Sequence, residues 1–202
     1  MRIVETKVYK FEELSEEAKL KAVEAVQNDE HYLSYDWWDS SYEWFKDKYG
    51  HLFDIDRIYF SGFWSQGDGA MFEYSFLYEE VWLKLFLDDQ KDWSDTRKAM
   101  ILKYCCISGK GTHRGHYYHE NSCSHNVYIE ADVDACHTNI IDYVDEDLQE
   151  EFEDFFYDYY KNICRELYRT LEKDHEYLMS REAIEEHLIG YDLEFEKNGK
   201  QW

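Results

Sequence analysis

Proline is missing altogether from these 202 residues, against about 5% in ordinary chains. Its absence removes a native cis-proline as a slow folding step and carries no functional message. Basic residues are also scarce: 22 Lys and Arg face 45 Asp and Glu, a formal net charge of −23. A field of that sign repels nucleic acid and acidic membranes and attracts basic surfaces. Direct nucleic-acid binding through a phosphate-neutralising patch is not expected. The bland use of the same acidity is solubility. No stretch approaches the 18 or so consecutive apolar residues of a membrane span, so no membrane association is expected. Met1 to Lys7 lacks the apolar core of a signal peptide. The five cysteines (Cys105, Cys106, Cys123, Cys136, Cys164) are odd in number and irregularly spaced, which reads as reduced thiols in a cytoplasmic setting.

What is present is a folded chain. Apolar residues make up 44% and aromatics 19%, far above the composition of a disordered acidic tail. With no linker or repeat, residues 1–202 read as a single α+β domain, an antiparallel or mixed sheet packed by several helices. A first strand is expected over Met1–Phe11, then a helix over Glu16–Gln27 capped by Ser15. A second helix is expected over Asp36–Tyr49, ending at Gly50. Ile55–Phe63 and Ala70–Tyr78 read as a hairpin, with Gly69 supplying positive φ in an Asp-Gly turn. Glu79–Tyr104 is helical in pattern, with Asp88–Asp89 a possible break. A strand pair is expected near His113–His119 and Cys123–Asp134. A short helix over Arg181–Leu188 and a strand over Tyr191–Phe195 close the chain.

The longest expected helix runs from about Asp145 to Asp174. Leu148, Phe152, Phe155, Tyr159, Ile163, Leu167 and Leu171 recur at spacings of three and four, an amphipathic stripe. This helix lies partly in a segment of 46 residues, between Arg114 and Lys161, that has no Lys or Arg and carries 13 carboxylates. Glu146, Glu150, Asp154 and Asp158 form one i, i+4 column with a rise of about 6 Å per step, and Asp147 and Glu151 adjoin it. Like charges at that spacing cost roughly 0.2–0.5 kcal/mol per pair. One reading is a ladder of charge that imitates a nucleic-acid strand. The other is the solvated outer face of an amphipathic helix. Glu130, Asp132 and Asp134, on the acidic face of an expected strand, and Trp37, Trp38 and Asp39 would extend such a surface.

Two constellations invite chemistry. His113, His116, His119, Cys123, His125, Cys136 and His137 fall within 25 positions, yet lack the Cys-x-x-Cys spacing of structural zinc sites. Cys123 and His125 also share strand parity with Val127, which reads as core. Ser61-Gly62-Phe63-Trp64-Ser65-Gln66-Gly67-Asp68-Gly69 resembles no nucleophile elbow or phosphate loop. Its glycines fit a turn, and Trp64 fits a partner-binding tip, because Trp and Tyr dominate interface hot spots.

Ile58–Gly69, of which that run is the most specific part, resembles, together with Phe11–Lys19, Tyr35–Asp39, Gly115–His119, Leu167–Lys173 and Phe195–Gly199, a phage and prophage family. Its members carry the label "antitoxin of toxin-antitoxin stability system". The resemblance implies a mobile-element setting and a small inhibitory protein in the cytoplasm of an infected or lysogenic bacterium. Phages also encode acidic anti-defence proteins, anti-CRISPR proteins among them. The expectation is a non-enzymatic inhibitor, with no cofactor or metal ligand assigned. Its partner would be a basic nucleic-acid-binding protein or nuclease of the host. An antitoxin that binds one toxin, or a metal-dependent enzyme built on the histidine cluster, are the alternatives.

Overall fold

A computed structural model describes residues 6–34, 36–131 and 146–202. The fold is α+β, with a four-stranded antiparallel sheet, a two-stranded sheet and six α-helices among the described residues. Contacts divide it into two compact units, Met1–Asp39 with Leu171–Trp202, and Ser40–Thr170.

In the first unit, β1 (Tyr9–Lys10) pairs antiparallel with β6 (Glu194–Phe195). Among the described residues both strands are shorter than expected, and residues 1–5 of the expected first strand lie outside the described residues. The chain turns into a 3-10 helix at Phe11–Glu13, where the Glu13 carboxylate accepts the Lys10 N–H at 2.9 Å. Asp192, with φ 54°, interrupts extended backbone just before β6. Helices α1 (Glu16–Gln27) and α6 (Arg181–Gly190) start as their serines predict. Ser15 Oγ accepts the Ala18 N–H and Ser180 Oγ accepts the Ala183 N–H, each at 3.3 Å. Phe11, Leu14, Ala18, Ala22 and Val23 bury against Ile184, Leu188 and Phe195.

The second unit holds β2 (Phe53–Phe60), β3 (Ala70–Leu77), β4 (Cys105–His113) and β5 (Cys123–Ala131), in that spatial order. The β2–β3 hairpin is as expected, with Phe60 opposite Ala70, but Gly69 does not have positive φ. Gly62 (119°) and Gly67 (91°) do. Gly69 serves a different need: a Cβ there would sit 2.7 Å from the His119 Cα. Helices α3 (Glu79–Asp89) and α4 (Asp95–Tyr104) separate just after the expected break. Helix α2 (Asp39–Tyr49) begins three residues later than expected, because Trp37 and Asp39 donate in turns to Ser34 and Asp36.

Strand β4 corrects the expectation of a strand over His113–His119. It starts at Cys105, directly after α4, and ends at His113. Glycine ordinarily weakens a strand, but here Gly109 and Gly111 clear space for larger neighbours. A Cβ on Gly111 would lie 2.2 Å from the Tyr74 ring, and one on Gly109 would lie 2.7 Å from Leu77.

Helix α5 (Glu146–Leu178) begins in this unit, and from Leu171 onward it belongs to the other. Its buried stripe is Leu148, Phe152, Phe156, Tyr160, Ile163, Cys164, Leu167 and Leu171. Phe155 and Tyr159, expected in the stripe, are only half-buried. A strict four-residue step carries the first three turns, so each aromatic doublet presents its second member inward. Those rings meet the sheet and α3: Phe72 with Tyr160 at 4.7 Å, Trp82 with Phe156 at 4.9 Å, Phe86 with Phe152 at 5.4 Å. The buried Trp82 Nε1–H donates to Leu52 O at 2.8 Å. Phe156→Ala should therefore cost about 3–5 kcal/mol in urea unfolding, and Phe155→Ala clearly less. Equal losses would show that the register of the stripe is wrong.

Candidate functional site

The outer face of α5 follows from its inner one. Two residues turn a helix by about 200°, so Glu150, Asp154 and Asp158 lie opposite the buried column Leu148, Phe152, Phe156 and Tyr160. All three are exposed, as are Asp147 and Glu151. None of the five forms an ion pair with a described residue. The side chain of Glu146 lies outside the described residues. The helix is held at this end by Gln149. Its amide donates to Val127 O and accepts from the Ile129 N–H, both at 2.9 Å. Strand β5 is the last in the sheet among the described residues, and this side chain takes up two of its backbone groups on the side away from β4. At mid-helix, Glu166 accepts from Tyr49 Oη at 2.5 Å and pairs with Lys48. The Lys48 ammonium, with Tyr49, holds the Glu166 carboxyl below the usual range.

The other expected interface residues are dispersed. Glu130 is exposed on β5; Asp132 and Asp134 lie outside the described residues. Trp37 and Trp38 are half-buried in the turn before α2 and Asp39 is exposed. The Trp37 ring packs edge-on against His175 at 5.5 Å. Trp64, by contrast, is 82% exposed on a loop that is tightly held. Asp68 Oδ2 accepts the Trp64 and Ser65 N–H groups at 2.9 and 2.6 Å. Ser61 N–H donates to Gly69 O, and Gly69 N–H donates to Ser61 Oγ, each at 3.2 Å. Phe63, next to Trp64, stacks toward Tyr168 at 5.5 Å. The 114–121 segment packs against the loop, leaving Gly67 no room for a side chain beside Tyr117. Asp68 is thus a loop-closing acceptor.

The histidines and cysteines do not converge. His113 Nε2 lies 3.1 Å from Tyr117 O, and the His113 N–H donates to Glu73 Oε1 at 2.7 Å. Glu73 also accepts from Tyr59 Oη at 2.8 Å. His119 Nδ1 accepts from the Asn121 N–H at 3.1 Å, and His116 is exposed. Cys136 and His137 lie outside the described residues. Among the described residues no three His, Cys, Asp or Glu are grouped to hold a metal. Cys123 and His125 face inward, as their parity implies. Burial pushes the Cys123 thiol up to about 12 and His125 down to about 4, the latter helped by the Lys161 charge. His125 Nδ1 lies 3.0 Å from Tyr74 Oη, and its ring meets Tyr160 at 4.3 Å.

Sequence reasoning missed a second feature of α5. Beside the acidic column, the column of Gln149, Glu153 and Tyr157 turns basic further along, with Lys161, Arg165 and Arg169 at four-residue steps. These cations line cavities beside the 114–123 segment. Basic side chains spaced four apart were visible in the sequence, but nothing there showed which segment they face.

The arrangement defines an α+β protein with a carboxylate face opposite a rigid aromatic core, and an exposed tryptophan on a tightly hydrogen-bonded loop. Residues 37–181 match the family described as Domain of unknown function (DUF8835), and the chain belongs to that family. No curated protein matches the chain, and no solved structure matches it. Among the described residues no helix is long and apolar enough to cross a membrane.

The burial of His125 has a consequence for stability. Above pH 6.5 the ring is neutral in both folded and unfolded chains. As pH falls from about 6.5 to about 4, the unfolded chain takes up a proton that the folded chain resists. The folded state then loses up to roughly 3 kcal/mol. Urea unfolding across this window should show that loss, and His125→Gln should reduce it. An unchanged slope in the variant would exclude His125 as its source.

Proposed function

We propose that this protein is a non-enzymatic inhibitor that lays the outer face of α5 on a basic surface of a nucleic-acid-binding protein, such as a nuclease of bacterial defence. The observation that carries this reading is the exposed row Glu150, Asp154 and Asp158, set opposite the buried column of the same helix. Such a row forgoes the i, i+4 ion pairs that an isolated helix gains from alternating charge. A basic groove supplies the missing counter-charges. A duplex carries about one charge per 1.7 Å of axis, so one row with a rise of about 6 Å per charge imitates part of a strand. Association is then steered by charge and anchored by Trp64, whose loop is already ordered and loses little freedom on binding. The resemblance to phage and prophage proteins supports the setting. Neutralising a toxin would use the same contact.

A tagged pull-down from bacterial lysate tests this directly. A nucleic-acid-binding protein should be retained at low salt and depleted at about 0.5 M, where screening reaches a few ångströms. The double variant Glu150→Lys, Asp154→Lys should lose that partner while unfolding at a similar urea midpoint. Retention of the partner by the folded double variant would sink the proposal. Trp64→Ala should leave stability within about 0.5 kcal/mol and speed dissociation of the same partner.

A further inference from the structure

The basic column of α5 borders cavities that the acidic column does not explain. One, of about 300 Å³, is lined by Lys161, Tyr157, His125 and Glu120. A second, of about 350 Å³, shares Tyr157 and His125 with it and adds Arg114. A third, of about 310 Å³, shares Glu120 and adds Arg165, Arg169, Tyr168 and Asp68. The shared wall residues make the three adjacent, and each has the size of a small-molecule site.

The charge inventory of this groove is unusual for the molecule. Among the described residues four cations line it against two carboxylates, where the whole chain has two acids for every base. Both carboxylates are already engaged, Glu120 with Arg165 at 3.2 Å and Asp68 with the backbone of its own loop. Arg114, Lys161 and Arg169 have no ion pair with a described residue, although acids abound. The local surplus is two positive charges. A phosphate monoester, with about −1.5 to −2 at neutral pH, matches that surplus, whereas a simple carboxylate brings half of it. Arginine forks suit phosphate oxygens in particular. Beside the cations stand flat rings, Tyr157 with His125 at 5.4 Å and Tyr168 next in the row. A long polyanion would carry further phosphates into the field of −23, whereas a small ligand presents its charge only to the groove.

We propose that the groove between α5 and the 114–123 segment binds a small phosphate monoester attached to a flat ring, of the nucleoside monophosphate class. Lys161, Arg165 and Arg169, which line two cavities joined at Glu120, hold the phosphate, Arg114 adds its charge from the adjoining cavity, and the Tyr157 or Tyr168 ring takes the base. This site uses residues separate from the acidic face and stands or falls independently of it.

Calorimetric titration of the full chain with adenosine monophosphate, adenosine, inorganic phosphate and a short single-stranded oligonucleotide tests the proposal. The nucleotide should bind saturably, with Kd near or below about 1 mM, at least tenfold tighter than adenosine or inorganic phosphate. Lys161→Ala and Arg169→Ala, which break no ion pair among the described residues, should each weaken it several-fold, and the double variant by tenfold or more. Raising salt should weaken it further. No saturable binding by the nucleotide, affinity untouched in the folded double variant, or tighter binding of the oligonucleotide would each overturn the proposal.

Discussion

The larger unit depends on how Tyr160 meets Phe72. The Tyr160 hydroxyl is fully buried; it donates to Phe72 O at 2.6 Å and accepts the Phe72 N–H at 3.3 Å. Strand β3 is internal to the sheet, yet its paired register with β4 is confined to Tyr74 and Gly111. The hydroxyl therefore satisfies backbone groups that would otherwise be buried without partners, at a cost of about 1–3 kcal/mol each. It also sets the rotation of α5. With Tyr160 aimed at β3, Phe156 and Phe152 must face Trp82 and Phe86, and the residues two positions away must face out. The position of the acidic column is thus a consequence of one tyrosine bonding to one strand.

That geometry separates the tasks of the helix. Its inner face is aromatic and rigid, with rings in edge-on and tilted contacts 4.7–5.4 Å apart. Its outer side carries the acidic row through Asp158 and, in the neighbouring column that begins with Gln149, Glu153 and Tyr157, the cations Lys161, Arg165 and Arg169. Favourable i, i+4 pairs would need the two signs interleaved. Their segregation creates two surfaces of opposite charge on one helix, and the binding roles proposed for them rest on different residues.

Much of this was legible in the sequence, and the losses have physical causes. Ser15 and Ser180 marked true helix starts because a cap needs only local chemistry. The carboxylate column was legible because charged residues declare their exposure. The buried stripe was misread by one residue at Phe155-Phe156 and Tyr159-Tyr160, where both members of each doublet are apolar and only packing decides between them. Strand β4 was hidden by Gly109 and Gly111, which act as breakers in isolation and as clearances beside Tyr74 and Leu77. The groove was illegible because Arg114, Glu120, Lys161 and Arg169 are joined only by tertiary structure.

The Gln149 side chain gives the sheet a boundary. An uncovered edge strand is a template on which any extended chain, including another copy, can continue the ladder. Here, among the described residues, two backbone groups of β5 are taken by an amide on a helix rather than by a neighbouring strand. The same two bonds tie the first turns of α5 to the sheet. Strand addition at these two groups would thus require the first turns of α5 to let go of β5.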